Sequence, residues 1–298
     1  MTRKDIWSIL CLLFLSIGAA AQSLYMQAGT GRAQKQEVVD RVLYRITYKT
    51  KVVNDTTRRD SLGRYRYRDD DMRLDIGTQI SIFYSGRKAA YSSAMTEQLL
   101  HDHAIDLRKI AVSKPNVSWI VYRNYPKGQT SYLDEANLNN YRISEKTVTP
   151  VWTLDADTCT ILGYHCTKAE ADFKGRHWTV WFAEDVPLDN GPWKLCGLPG
   201  LILKAEDAQQ QYIFEAVGLE QLDGKEDLLL IKGYKKYEAV SQQQFDKINR
   251  TTTKADTMFR NGNLVVKTTD RDGHELTEAE TRQIYGKPLP CNPIEIAK

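Results

Sequence analysis

Alternation of apolar and polar positions dominates the chain. In the run Val38–Val53, Val42, Tyr44, Ile46 and Tyr48 point one way and Arg41, Arg45 and Thr47 the other, the period of a half-buried strand. Met72–Tyr84 divides near Gly77 into two short strands. Val117, Trp119 and Val121 alternate with Ser118, Ile120 and Tyr122, and shorter strand candidates follow at 130–133, 141–144 and 151–154. Residues 161–173 and 177–182 form a hairpin turning at Lys174-Gly175, with Trp178, Val180 and Phe182 on one face and His177, Thr179 and Trp181 on the other. Strands at 201–204 and 212–222 flank a turn at 207–210, and Asp155-Ala156-Asp157-Thr158 reads as a further turn.

The helical period breaks this pattern in a few places. Leu100, Ala104, Leu107 and Ala111 form a stripe within a predicted helix over 87–112, closed by Pro115. A second helix is predicted over 241–259. Ser241 and Gln244 form its capping box, and Phe245, Ile248 and Thr252 share its inner face. A helical turn over 275–284 precedes a proline-rich tail. The expected fold is mainly β (α+β): a curved antiparallel sheet or open half-barrel with two packed helices, one of them on the concave side.

The first 21 residues alter the picture of location. Arg3 and Lys4, the apolar run 9–17 and Ala19-Ala20-Ala21 have the three-part layout of a secretory signal peptide. The expected organisation is therefore a signal peptide (1–21), a disordered lead-in (22–36) and one β-rich domain (37–298), exported to the periplasm or cell envelope. No later apolar run reaches the length of a membrane span. Acidic and basic residues are mixed and nearly balanced, with a net charge of +3, so nucleic acid is a poor partner.

Candidate chemistry is sparse. His101 and His103 lie two apart on a predicted helix and point away from each other, so they cannot share a metal ion. His274-Glu275 lacks a second histidine four residues on, and no Gly-x-Ser-x-Gly or phosphate-cradling glycine loop occurs. Cys166 follows His165, but neighbours on a strand point to opposite faces. Glu184, Asp185, Asp189, Glu206 and Asp207 cluster around residues 184–207; they are the basis of an alternative reading as a carboxylate- or metal-dependent periplasmic hydrolase. No metal or cofactor is expected. Cys159, Cys166, Cys196 and Cys291 remain after signal cleavage, an even number that suggests disulfides in an exported chain.

The stretch Gly191-Pro192-Trp193-Lys194-Leu195-Cys196-Gly197-Leu198-Pro199-Gly200-Leu201-Ile202 is rich in glycine and proline yet apolar. It reads as a loop packed against the body of the domain, with Gly191, Pro192, Gly197 and Gly200 setting its bends. Its hexapeptide Gly197–Ile202 resembles the motif of the GLPGLI family of exported bacterial proteins. The likeness extends to Gly163-Tyr164-His165-Cys166-Thr167-Lys168-Ala169, Phe173-Lys174-Gly175-Arg176, Val180-Trp181-Phe182 and Asn292-Pro293-Ile294-Glu295. The resemblance implies export but no defined activity. Because Cys166 and Cys196 both lie in its motifs, it suggests a Cys166–Cys196 bond, leaving Cys159 for Cys291. Together these features suggest a non-enzymatic binding or carrier protein for an apolar or peptide ligand or an envelope partner, with Trp181, Trp193, Leu198 and Pro199 as candidate contacts.

Overall fold

The structure is a computed structural model. It describes residues 14–15, 36–102, 106, 109–137, 139–259, 267–268 and 274–296. Its strands are β1 (Phe14–Leu15), β2 (Val38–Val52), β3 (Arg68–Ile76), β4 (Ser81–Ser85), β5 (Ile120–Arg123), β6 (Gln129–Ala136) and β7 (Asn139–Lys146). They continue with β8 (Thr153–Ile161), β9 (Tyr164–Phe173), β10 (Arg176–Ala183), β11 (Leu201–Asp207), β12 (Tyr212–Leu229), β13 (Glu238–Ala239) and β14 (Lys267–Thr268). The helices are α1 (Gly86–Asp102), α2 (Gln242–Thr251), α3 (Lys254–Phe259) and α4 (Glu278–Tyr285).

Twelve strands form one open sheet in the order β13-β7-β6-β5-β4-β3-β2-β12-β11-β10-β9-β8; β1 and β14 pair separately. Every neighbour in the large sheet is antiparallel except β13 on β7. The sheet is thus two meanders, β3–β7 and β8–β12, joined along the long pair β2 and β12. Register shifts interrupt that pair near Ala216/Gly218 and Gln221/Glu226, and such bulges bend and twist a sheet.

The curvature brings the inner faces of the two meanders together. Phe83 of β4 meets Phe214 of β12 with ring centroids 5.8 Å apart, and Phe214 stacks on Trp178 of β10 at 6.3 Å. From Phe83 the rings continue through Trp119 and Tyr132 to Phe245 of α2. From Trp178 they continue to Trp193 of the glycine–proline loop and on to Phe173. One aromatic core therefore runs from the concave face of one meander to that of the other. As the alternation requires, Ile46, Tyr48, Trp178, Val180 and Phe182 are completely buried.

Three features differ from the sequence reading. The helix expected over 87–112 ends at Asp102, and Leu100 of its apolar stripe is 75% exposed, so α1 lies outside the core. Ala104 and Leu107 lie outside the described residues. The helix over the concave face is α2, with the Ser241/Gln244 capping box formed and Phe245 buried; it stops at Thr252, and α3 starts two residues later. Asp155–Thr158 is a bulge within β8 rather than a turn. The turn falls instead at Leu162-Gly163, whose φ angles of 53° and 84° split the predicted strand 161–173 at its start. The left-handed region favours glycine and a tight hairpin.

No helix among the described residues is long and apolar enough to cross a membrane. The signal-peptide segment and the lead-in lie outside the described residues except for Phe14, Leu15 and Gln36.

Candidate functional site

The glycine–proline loop is structural. Pro192, Trp193, Leu195, Cys196 and Leu198 are all buried. Gly200 lies so close to β10 that an added Cβ would stand 2.0 Å from the Ala183 carbonyl oxygen, which explains glycine there. Of the four residues expected to contact a ligand, Trp193 and Leu198 belong to the core, while Pro199 is exposed. Trp181 lies on the opposite face of β10, beneath the Lys204 ammonium 4.4 Å from its ring centroid. The fold does not bring the four into one groove.

Lys194 of this loop enters a cluster of charges. Its Nζ donates to Glu145 of β7 and to Glu295 of the C-terminal segment, both at 2.6 Å. Lys174, in the β9–β10 turn, contacts the same two carboxylates at 2.5 and 2.8 Å. Burial opposes charging of Glu145, but the two ammonium groups outweigh it and hold the carboxyl below its ordinary range. The cluster ties β7 to the β9–β10 turn across the open side of the sheet.

A second network anchors the C-terminus. The Arg176 guanidinium is buried and pairs with Asp207 at 2.7 Å. It also donates to Gln211, Asn292 and the carbonyls of Pro293 and Ile294. Five donors thus find five acceptors. The segments 173–176 and 292–295, both part of the family resemblance, are in contact here.

The anchored C-terminal segment forms one wall of a cleft of about 170 Å³. Its other walls are α2, the start of β12, the end of β6 and residues 116–119 ahead of β5. Carboxamides Asn54, Asn116, Gln242, Asn249 and Asn292 line it beside the aromatic rings of Trp119, Tyr132, Tyr212 and Phe245. Three carboxyl groups also line it: Glu295, held by Lys174 and Lys194, and those of Asp134 and Asp246. Asp134 accepts from Ser118 Oγ at 2.5 Å and Tyr132 Oη at 2.9 Å. Asp246 is 5% exposed; its Oδ1 accepts from Gln242 at 2.9 Å, while its buried Oδ2 has no partner among the described residues. Desolvation raises both carboxyl groups above the ordinary carboxylate value. A buried oxygen without a partner costs about 1–3 kcal/mol.

The carboxylates considered from sequence are occupied or dispersed. Glu184 and Asp185 are exposed, Asp189 binds Arg123, Glu206 meets Lys204 and Asp207 serves Arg176. Among the described residues, no three His, Cys, Asp or Glu side chains are placed to hold a metal. His101 bonds to its neighbour Asp102, and His177 to Asp172. His103 is outside the described residues.

The expected Cys166–Cys196 and Cys159–Cys291 bonds are not present, and all four cysteines are free thiols. The Leu162-Gly163 turn sets Cys166 directly opposite Cys159. Cys196 lies in the loop beside Thr149, and Cys291 lines the cleft. Burial pushes the Cys166 thiol up to about 11, which makes it a poor nucleophile.

Residues 91–248, just over half of the chain, match the family described as N-glycanase peptide, N-terminal domain. The chain belongs to this family. The match includes β5–β12 and most of α2, and therefore Asp134, Gln242 and Asp246. Two solved structures of PNGF-II, in different space groups, resemble the fold with a TM-score of 0.43 and 14% and 15% sequence identity. The similarity covers 71% of this chain but only 34% of each PNGF-II chain, so this protein corresponds to about a third of that length. No curated protein matches the chain.

Sequence reasoning missed the cleft because it is assembled from segments far apart in the chain. Asp246 follows Phe245 on a helix whose inner face was legible, but nothing local marks its carboxyl as buried. Asp134 reads as an ordinary polar strand position.

Proposed function

We propose that this chain is an exported, non-enzymatic binding domain whose ligand is a glycan held in the cleft between α2 and the C-terminal segment. The observation that carries the reading is the buried Asp246 carboxyl, only half satisfied, in the wall of a cleft that also presents five carboxamides, four aromatic rings and the carboxyl groups of Asp134 and Glu295. Carboxylate and carboxamide oxygens accept hydrogen bonds from sugar hydroxyls, and carboxamide NH₂ groups donate to them. The volume suits one sugar ring or the end of a chain. Membership of a family named for an N-glycanase supports the same ligand class. The resemblance to GLPGLI proteins and the leader-like first 21 residues support export.

A second reading keeps the same cleft and treats Asp134 and Asp246 as an acid–base pair of a hydrolase. Desolvation raises the proton affinity of both, the direction that suits a general acid. Both readings are tested by incubating the protein with oligosaccharides released from glycoproteins, followed by calorimetry and mass spectrometry. Saturable binding with the oligosaccharides intact supports the binding domain. Cleaved products that disappear in Asp134→Asn and Asp246→Asn would replace it with the hydrolase. Neither binding nor cleavage would sink both.

A further inference from the structure

The connection between β2 and β3 carries a feature that the cleft does not use. Residues 64–68 read Arg-Tyr-Arg-Tyr-Arg. Tyr65 and Tyr67 are half-buried, and their hydroxyls are engaged by the β11–β12 turn: Tyr65 Oη accepts from Gln211, and Tyr67 Oη donates to the Gln210 carbonyl. Arg64, Arg66 and Arg68 are exposed. Successive same-face positions on an extended chain lie about 6.6–6.8 Å apart, so the tyrosines anchor a row of guanidinium groups that faces solvent.

The hairpin is held in shape. Arg59 bridges to Tyr65, and its guanidinium carbon lies 3.4 Å from the Tyr65 ring centroid. Asp60 organises the tip by accepting from the Leu62 and Arg64 amides at 2.8 and 2.9 Å. At that tip Leu62 is 72% exposed.

Charges here are out of balance. Asp60 is taken by Arg64, and Asp71 by Lys49 and Arg87. Asp70 is buried against Ser85, Asn116 and Val117. Asp55 and Asp69 remain, facing Lys51, Arg58, Arg59, Arg66 and Arg68, none of which has a carboxylate within ion-pair distance among the described residues. An exposed leucine at the tip of a braced, cationic hairpin has the layout of a peripheral membrane contact. The apolar tip enters the interface while the basic flanks meet anionic headgroups.

We propose that the 54–68 hairpin docks this protein on an anionic lipid surface, with Leu62 inserted and Arg58, Arg59, Arg66 and Arg68 on the headgroups. This goes beyond the glycan reading, because Arg58, Arg59, Leu62, Arg66 and Arg68 do not line the cleft and need no occupant in it. A docked domain would hold its cleft at the membrane face.

The test is co-sedimentation of the mature full chain with vesicles of phosphatidylglycerol and phosphatidylcholine, and of phosphatidylcholine alone, at low and high salt. Dextran sulfate serves as a soluble polyanion without an apolar phase. The proposal expects binding to the anionic vesicles only and weakening by salt. The loss should be about fivefold for each of Arg66→Ala and Arg68→Ala. Leu62→Ser should weaken vesicle binding and leave dextran sulfate binding unchanged. Unchanged circular dichroism shows that these exposed substitutions leave the fold intact. Equal binding of dextran sulfate and anionic vesicles, with no effect of Leu62→Ser, would overturn the proposal in favour of a soluble polyanion. Absence of binding to anionic vesicles would overturn it outright.

Discussion

Arg176 and Asp246 are both buried charged residues within the same end of the molecule, and they differ in one respect. The Arg176 guanidinium meets an acceptor with each of its five N–H groups, whereas one oxygen of Asp246 meets nothing. Buried polar groups are retained when fully satisfied and are costly when they are not. The first arrangement fixes a chain end; the second, on the function proposed above, belongs to a ligand site. Of the motifs that resemble GLPGLI proteins, 173–176 and 191–202 lie on the structural side of this division, whereas 292–295 both binds Arg176 and walls the cleft.

The comparison breaks most visibly at Arg176. Arg176→Ala strands the completely buried Asp207 and frees the Asn292–Ile294 segment, and equilibrium urea unfolding should show a loss of about 3–5 kcal/mol. A loss below about 1 kcal/mol would mean that the network does not hold the C-terminal segment. Gly200→Ala comes next. Its Cβ would collide with the Ala183 carbonyl, and a loss of about 3 kcal/mol is expected in the same assay.

A smaller effect is expected at Asp40, a carboxylate at the other end of the sheet. Burial alone would raise its pKa, but hydrogen bonds from the Gln79 and Ile80 amides, Thr78 Oγ1 and the Arg41 amide bring it down to about 2 from 3.8. A folded pKa below the unfolded one gives stability that is present above pH 3.8 and disappears as pH falls towards 2. After screening at this partly exposed site, Asp40→Asn should cost about 1 kcal/mol at neutral pH. The difference from wild type should vanish across that acid window in pH-dependent thermal melts.

Asp246 should show the opposite sign. Its folded carboxyl binds a proton more readily than the unfolded one, so stability without ligand rises as pH falls from the raised value towards 3.8. Asp246→Asn should remove that dependence at no cost to stability at neutral pH. A destabilised Asp246→Asn would place this residue with Arg176 as part of the scaffold.

Most of the fold was legible in the sequence because strand alternation and capping are local. The faces of β2 and β10, the turn at Lys174-Gly175 and the capping box of α2 all follow from residues a few positions apart. Positions that depend on long-range contacts were not. Leu100 belongs to a stripe with the spacing of a buried one, and only the tertiary structure shows it exposed among the described residues. Cysteine pairing failed for a related reason: shared motifs suggested Cys166–Cys196, whereas the register of β8 on β9, set by the turn at 162–163, puts Cys159 opposite Cys166. The apolar character of the glycine–proline loop correctly signalled packing, but packing against the core leaves Trp193 and Leu198 unavailable to a ligand. The cleft itself joins residues from six separated segments, and no local pattern encodes it.

Calorimetric titration of wild-type protein and Asp246→Asn with oligosaccharides released from glycoproteins distinguishes a ligand site at Asp246 from a packing defect. A ligand site gives saturable binding to the wild type, weakened at least tenfold in a variant that remains as stable as the parent. Equal affinity in the two proteins, or no binding to either, would contradict it.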